Sequence, residues 1–336
     1  VTHREAGAVA LSGHVASVPR TGGPSMSVLV LGGYGTVGAH LVRLLRAEGV
    51  TAHAAGRDPA RADRVVDLRN IAGVDAALDG ATIVVNCAGA EDIRLAQACA
   101  GRGIVFVDIS ATSNYVQALE DLDGPVVLGV GLAPGLTTLL AVDALTHRRG
   151  PVDIMIGLGS GETHGPAATA WTYQLLGRRF PDADGTSVRN FTGRQRFSMP
   201  GDAGYRPFPA LRADFADQYR LTREFGVPVR TYLRLDSRLA TLGLAALTWV
   251  PALQSLAPAH MPGSSDRWVA LARAADGSTT AASGRGQSLA TAVVAAITVR
   301  ALIRNPVSAP TWIHQLLELD DIGHDPLAAE IRFDRS

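Results

Sequence analysis

Three glycines, Gly33, Gly35 and Gly38, lie in the run VLVLGGYGTVG from Val28 to Gly38, the stretch of this chain best suited to holding a charged ligand on its backbone. In a G-x-G-x-x-G pattern the first glycine permits a tight strand-to-helix turn. The second lets the backbone approach a pyrophosphate, and the third lets the helix pack closely on the strand. Tyr34, Thr36 and Val37 fill the positions between, and the helix that follows aims unpaired amides and a positive dipole end at phosphate. Glycine-rich turns also close βα units that bind nothing, so the flanks decide. Val28–Leu31 is a four-residue β-type run, Leu41, Val42, Leu44 and Leu45 give 39–49 an apolar helical face, and Val50–Ala55 reads as the next strand. The expectation is a dinucleotide site.

Where an NAD site ends its second strand in an acidic residue for the ribose hydroxyls, this chain has Ala54, Ala55 and Gly56, followed by Arg57. A guanidinium there can take a 2′-phosphate in a charge-assisted contact, supported by Arg61 one turn on. The expected cofactor is therefore NADP(H), with NAD(H) second; a solvated surface arginine is the alternative. Asp58-Pro59 reads as an N-cap and a proline at the first helical position. Asp67 ends the next strand and joins the cofactor-facing set. At the end of the fourth strand, Asn86, Cys87, Ala88 and Gly89 are small enough for a ribose and phosphate to lie against the backbone.

The proton-handling candidates lie further on. His164 stands in the turn Gly159–Pro166 just before a helix holding Trp171 and Tyr173. An imidazole exposed there donates or accepts a proton near neutral pH, while a turn hydrogen bond is the structural alternative. Tyr173 and Tyr219 are the next candidate donors. Arg196, Tyr205, Arg206 and Tyr219 also suit a substrate carboxylate, with surface or sheet roles as the alternative, and Glu162 reads as a solvated loop carboxylate. His314 and His324 are isolated, and no His/Cys cluster has metal spacing.

These groups need a doubly wound scaffold to bring them together, and the chain supplies one. Alternating βα units run on through a strand in 63–68, a helix at 74–78, strands at 82–85, 105–109 and 125–130 and a helix at 93–100, an order that means a parallel sheet with its ligand at the carboxyl strand ends. After the Gly150-Pro151 break, Val152, Ile154, Ile156 and Leu158 alternate in period two and start a second α/β unit. Within it, β-like pieces fall at 188–191, 196–199 and 227–235, a helix at 214–225, an apolar helical stretch at 239–256 and a hairpin around Asp276-Gly277. Ser288 is read as the cap of a long alanine-rich helix, 289–304, and a short helix at 312–319 precedes a polar, peripheral tail. The domains are read as a flexible extension 1–25 without the apolar core of a secretory signal, a nucleotide-binding unit 26–150, a substrate and dimerisation unit 151–285, and C-terminal helices 286–336 returning to the first unit.

Composition removes whole classes of function. The 336 residues include 31 basic and 31 acidic, so no bulk field draws the chain to nucleic acid or an anionic membrane, and a small-molecule substrate remains as the partner. Every basic residue is arginine. Without lysine there is neither Schiff-base catalysis nor the Tyr-x-x-x-Lys pair of short-chain dehydrogenases. Cys87 and Cys99 sit in apolar surroundings and read as structural thiols of a reducing cytoplasm. No run reaches the ~18 apolar residues of a membrane span.

Taken in order, VLVLGGYGTVGAHLVRLL, VVNCAGA, LAQACAGRGIVFVDIS and GLAPGLTTLLA, between about Ser27 and Leu145, resemble the NAD(P)-binding domain of the saccharopine dehydrogenase-like oxidoreductases. The resemblance implies a Rossmann domain, a second α/β domain with substrate and dimer contacts, a homodimer and a C-terminal helical return. It implies that Asn86, Cys87 and Ala88 line the nicotinamide-side ribose and that Gly131, Ala133, Pro134 and Gly135 border the nicotinamide; a plain proline-started helix is the alternative for the last three. The activity it implies is hydride transfer from NADPH to a C=N, C=C or C=O bond of a neutral or hydrophobic metabolite, and the missing lysine argues against saccharopine itself. A non-catalytic NADP(H)-sensing regulator and a redox-neutral isomerase using bound NAD(P) are the alternatives.

Overall fold

The structure, a computed structural model, describes residues 26–70, 73–148, 150–162, 166–199, 209–252 and 265–336. The first half of the chain forms β1 (Ser27–Leu31), α1 (Gly38–Ala47), β2 (Thr51–Gly56), β3 (Arg64–Val65), α2 (Val74–Ala77), β4 (Ile83–Asn86), α3 (Ile93–Ala100), β5 (Val105–Asp108), α4 (Ser113–Glu120), β6 (Val126–Leu128) and α5 (Thr137–His147). The second half continues with β7 (Val152–Leu158), α6 (Pro166–Leu175), β8 (Arg179–Pro181), β9 (Ser187–Arg189), β10 (Arg194–Gln195), β11 (Ala210–Arg212), α7 (Ala216–Phe225), β12 (Val229–Leu235), α8 (Arg238–Leu247), β13 (Arg267–Ala274), β14 (Thr279–Arg285), α9 (Gln287–Arg304), β15 (Thr311–Trp312), α10 (Leu319–Gly323) and β16 (Arg332–Arg335).

The expected α/β architecture is what forms. The first sheet is parallel and runs β15-β6-β5-β4-β1-β2-β3. Strand β1 lies between β2 and β4, so the chain reverses its winding there and opens a crevice at the carboxyl ends of β1 and β4. The strands β1, β4 and β5 are buried at every residue, which is why they read as unbroken apolar runs. The second sheet runs β10-β11-β12-β7-β13-β14-β16, parallel only between β12 and β7. Val152, Ile154 and Ile156 of β7 turn into the large core beneath the helices, while Met155 faces the other side with Val269 and Leu271.

Two helices bind the sheets into one body. Helix α5 follows directly from the end of the first sheet and packs on β7, β13 and β14. Helix α9 packs on α1, placing Ala292, Ala295, Ala296 and Val299 among the first unit's Leu41, Val42 and Leu45. Its Ala290, Val293 and Ile297 join the core of the second sheet instead. Because α9 faces apolar neighbours on both sides, it is long and apolar enough to pass for a membrane span, yet its apolar residues are core.

Several local readings change. Residues 63–68 supply only the two-residue β3. Helix α4 carries no expectation from the sequence, because its apolar face is only Tyr115, Val116 and Leu119. The segment read as a short helix from Trp312 instead begins as β15 at the edge of the first sheet, with Trp312 buried. The polar tail is no loose end, since β16 pairs with β14. Helix α8 is not a core helix all round: Leu239 and Leu242 on it, and Trp249 and Val250 just beyond, are exposed.

Candidate functional site

The glycine-rich turn sits at the carboxyl end of β1, at the reversal point of the sheet. Gly32 holds φ +71°, a conformation open to glycine, and donates from its amide to the Ala55 carbonyl on β2. Gly33 donates to the same carbonyl, and Gly35 donates back to Gly32 at 2.8 Å. At Gly38 a Cβ would lie 2.2 Å from the Gly32 carbonyl oxygen, so a side chain there would push α1 off the turn. Among the described residues, the amides of Thr36, Val37 and Gly38 make no hydrogen bond, and they open the ten-residue α1. Free amides at a helix N-terminus, with glycines where a side chain would block the approach, fit a pyrophosphate.

An open hollow of about 570 Å³ adjoins the turn, lined by Tyr34, Arg57, Asp58, Arg61, Val65, Asp67 and Arg69. The Tyr34 ring covers Gly56, and its hydroxyl accepts from the Asp58 amide at 2.9 Å. Arg61 lies over that ring, 4.5 Å from its centroid, and donates to the Tyr34 carbonyl. Asp67 is taken up by Arg69 in a two-pronged contact of 2.6 and 3.0 Å, and this hydrogen bonding holds its carboxyl down to about 2. Arg57, exposed, makes no ion pair or hydrogen bond among the described residues. The hollow thus carries a guanidinium that is near the Asp67 charge but in no direct ion pair among the described residues, beside an apolar wall at Val65, which is 60% exposed.

On the other side of the turn, β4 and β5 end in a buried polar cluster. Asn86 donates from Nδ2 to the Asp108 carboxylate at 2.8 Å and to the Ala90 carbonyl, while its Oδ1 accepts weakly from the Ala88 amide. The Ser110 amide also donates to Asp108, at 2.7 Å, and the Tyr115 hydroxyl lies within reach. Burial pushes Asp108 up to about 6 against these bonds. Asn86 is therefore tied inward and shapes the Cys87-Ala88 turn, so that the backbone and small side chains of that turn, not the Asn86 amide, are left for any ligand. Cys87 is no thiolate: burial first, and then the Asp108 charge, push its thiol up.

Beyond β6, residues 132–136 form an irregular turn with a cis bond between Ala133 and Pro134 and an extended Ala133, so Gly131, Ala133 and Pro134 are loop and the helix opens only at Thr137. The turn is held from two sides. The Leu132 amide donates to Thr291 of α9, and the Gly135 amide to Thr138. Thr137 donates to Asp217 at 2.8 Å, from the first unit into the first turn of α7. Asp217 is fully buried, its second oxygen has no hydrogen-bond partner among the described residues, and burial pushes it up to about 6.

The proton-donor candidates are not brought together in the described structure. His164 lies outside the described residues, as do Tyr205 and Arg206. Tyr173 is half-buried on α6 against the second core. Tyr219 donates its proton to Asp214, which also accepts from Ser113 of α4; burial and the Asp214 charge push this phenol up, making it a weaker acid. Its hydroxyl thus serves a seam between the two units. Glu162 is no solvated loop carboxylate either. It accepts from the Gln287 and Ser288 amides at 2.6 and 3.1 Å, capping α9, with Gly286 rather than Ser288 at the cap position. Its charge also raises His40 on α1, against the burial and Arg43 charge that hold that imidazole low.

Sequence reasoning missed Arg69, Asp108, Asp217 and the capping role of Glu162. Asp108, Asp217 and Glu162 work through a partner distant in the chain or through burial, whereas Arg69 had a local sign, the Asp67 carboxylate two residues before it.

Compared with known proteins, residues 28–127 match the model of the NAD dependent epimerase/dehydratase family. No curated protein matches the chain. Among solved structures, the C. glutamicum DAP dehydrogenase in complex with DAP is 15% identical over 90% of this chain and 99% of its own, with a TM-score of 0.45. The WlbA (WbpB) dehydrogenase from Thermus thermophilus, in complex with NAD and alpha-ketoglutarate, is 11% identical over 91% and 92%, with a TM-score of 0.39. The UDP-N-acetylglucosamine 4-epimerase from Bacillus cereus is 23% identical over 27% of this chain and 42% of its own, so this chain spans less than half its length, with a TM-score of 0.22. The family match falls on the glycine turn and the strands around it. The first unit has a Rossmann-like α/β fold, and the family match lies within it.

Proposed function

We propose that the protein is an NADPH-dependent reductase of the saccharopine dehydrogenase-like kind, acting as a homodimer on a small neutral or hydrophobic metabolite. The observation that carries the reading is the pairing of the free amides at 36–38 with the uncommitted Arg57 in the adjoining hollow. When bound, the cofactor supplies the hydride. The turn Gly33, Tyr34, Gly35, Thr36, Val37 and Gly38 takes the pyrophosphate. Arg57 takes the 2′-phosphate while Asp67, quenched by Arg69, raises little repulsion. Asn86, Cys87 and Ala88 border the nicotinamide ribose, and Gly131, Ala133 and Pro134 border the ring. His164, then Tyr173 and Tyr219, are the proton donors to be tested.

A panel of imines, enones and ketones, followed by NADPH oxidation, tests the activity: consumption with at least one class is expected, and tight NADPH binding without oxidation by any would replace the reading with a cofactor-sensing regulator. Arg57→Asp is expected to weaken NADPH at least tenfold while sparing NADH, as loss of a charge-assisted contact of ~1.5–3 kcal/mol requires. An unchanged NADPH dissociation constant overturns the assignment. The match to an epimerase/dehydratase model over 28–127 favours one second reading, a redox-neutral isomerase, which product formation without net NADPH loss would identify.

A further inference from the structure

The turn 131–136 and the helix that leaves it are held from the second unit by a buried carboxylate to which no role above has been given. The turn stands at the carboxyl end of β6, on the same side of the parallel sheet as the glycine turn and the Cys87-Ala88 turn. Ala133 is the one residue of 131–136 that is not buried, so what the turn can offer a ligand is a small side chain and the backbone beside it. Inside the turn the Leu136 amide donates to the Gly131 carbonyl at 2.8 Å. Two further amides reach outward, Leu132 to Thr291 of α9 and Gly135 to Thr138 of α5.

Thr137 and Thr138 open α5 and are wholly buried. Buried hydroxyls need partners, and here α7 supplies one. Thr137 donates to the Asp217 carboxylate at 2.8 Å, and Thr138, which accepts from Gly135, adds to the hydrogen bonding on the same group. Asp217 lies in the first turn of α7, which packs on β12 of the second sheet and also on the turn itself. A carboxylate taken wholly out of water returns little net stability, because lost solvation offsets its hydrogen bonds. A geometric task accounts for its place: two adjacent hydroxyls at the exit of the turn are tied to one group on the other unit, which fixes where the turn ends.

We propose that Asp217 is a positioning residue for the nicotinamide: from the second unit, through Thr137 and Thr138, it holds turn 131–136 in the shape on which the ring rests. The proposal rests on the reading of that turn as the border of the nicotinamide. A platform already in shape needs no ordering when the ring arrives, so its effect falls on the nicotinamide half of the cofactor.

Titration of the full chain with NADPH and with adenosine 2′,5′-bisphosphate tests it, since the second molecule carries the adenosine phosphates without the nicotinamide. Asp217→Ala is expected to weaken NADPH about fivefold, the order of one hydrogen bond's net contribution, and to leave the bisphosphate unchanged. The change in nicotinamide fluorescence on binding should shrink with it. Thr137→Val removes the donated hydrogen bond with little change of shape; it should act in the same way, and it reads the proposal if Asp217→Ala fails to fold. Asp217→Asn keeps an acceptor for Thr137 and should restore wild-type affinity for NADPH. Arg57→Asp, by contrast, should weaken both molecules. A merely structural role for Asp217 would lower the melting temperature and leave the ratio of the two affinities where it is. Equal weakening of both molecules by Asp217→Ala overturns the proposal, and so does wild-type binding of NADPH by Thr137→Val. Failure of the cofactor reading is a different result, in which the wild type binds neither molecule, and it takes the proposal with it.

Discussion

Asp108 and Asp217 share a physical condition: each is buried, hydrogen-bonded, and still pushed up from 3.8 to about 6 by loss of solvent. A carboxyl with a raised pKa binds its proton more tightly in the folded protein than in the unfolded chain. Its contribution to stability is therefore full below about pH 4 and is lost as pH rises through about 6. Asn is the neutral isostere of the protonated acid. Asp217→Asn is expected to flatten the decline between pH 4 and 6.5 by roughly 1–3 kcal/mol. His40 and His314, held low mainly by burial, act in the opposite sense and lose stability as pH falls, so the comparison is wild type against variant at each pH. Urea midpoints across that range measure it, and parallel curves for the two proteins would show that Asp217 is ionised throughout.

At the scale of the element, α9 depends on a residue from another part of the chain. Its cap position is Gly286, which has no side chain to accept from the first turn, and Glu162, 125 residues away from Gln287, supplies the carboxylate instead. An acidic group there satisfies unpaired amides and meets the positive end of the helix dipole. Glu162→Ala is expected to cost about 1–2 kcal/mol and to speed amide exchange at Gln287 and Ser288 while leaving the last turn of α9 protected. Uniform exchange along the helix in the variant would place the role of Glu162 elsewhere. Helix α7 is held in a similar way, with Arg220 and Arg223 reaching Glu120 at the end of α4 and Tyr219 sharing Asp214 with Ser113.

For the whole molecule, the two sheets share their core helices. Helix α9 buries one side against α1 and the other against the second sheet, α5 carries the chain from one sheet onto the other, and β15 and β16 send the C-terminal segment to both. Such interlocking predicts one cooperative unfolding transition, with the calorimetric enthalpy matching the van't Hoff value. Two resolved transitions in scanning calorimetry would mean that the units melt independently. Saturating NADPH is expected to raise that single transition as a whole.

What the sequence determined by itself is what short range controls. The glycine spacing at 33, 35 and 38, the apolar strands β1, β4 and β5 and the alternation in β7 place the parallel sheet and the glycine-rich turn, because turn geometry and strand burial are written in neighbouring residues. The position of Arg57 beside the turn was legible for the same reason, since it directly follows the second strand. The tertiary structure alone decided which charges are committed. Asp214 takes Ser113 from the other unit as well as Tyr219, and Glu162 caps a helix it does not belong to. It also turned Trp312 and the polar tail into edge strands, since two to four residues carry too little periodicity to declare themselves until a sheet edge offers them hydrogen bonds. Desolvation and long-range pairing, which set Asp108 and Asp217, exist only once the chain has closed around them.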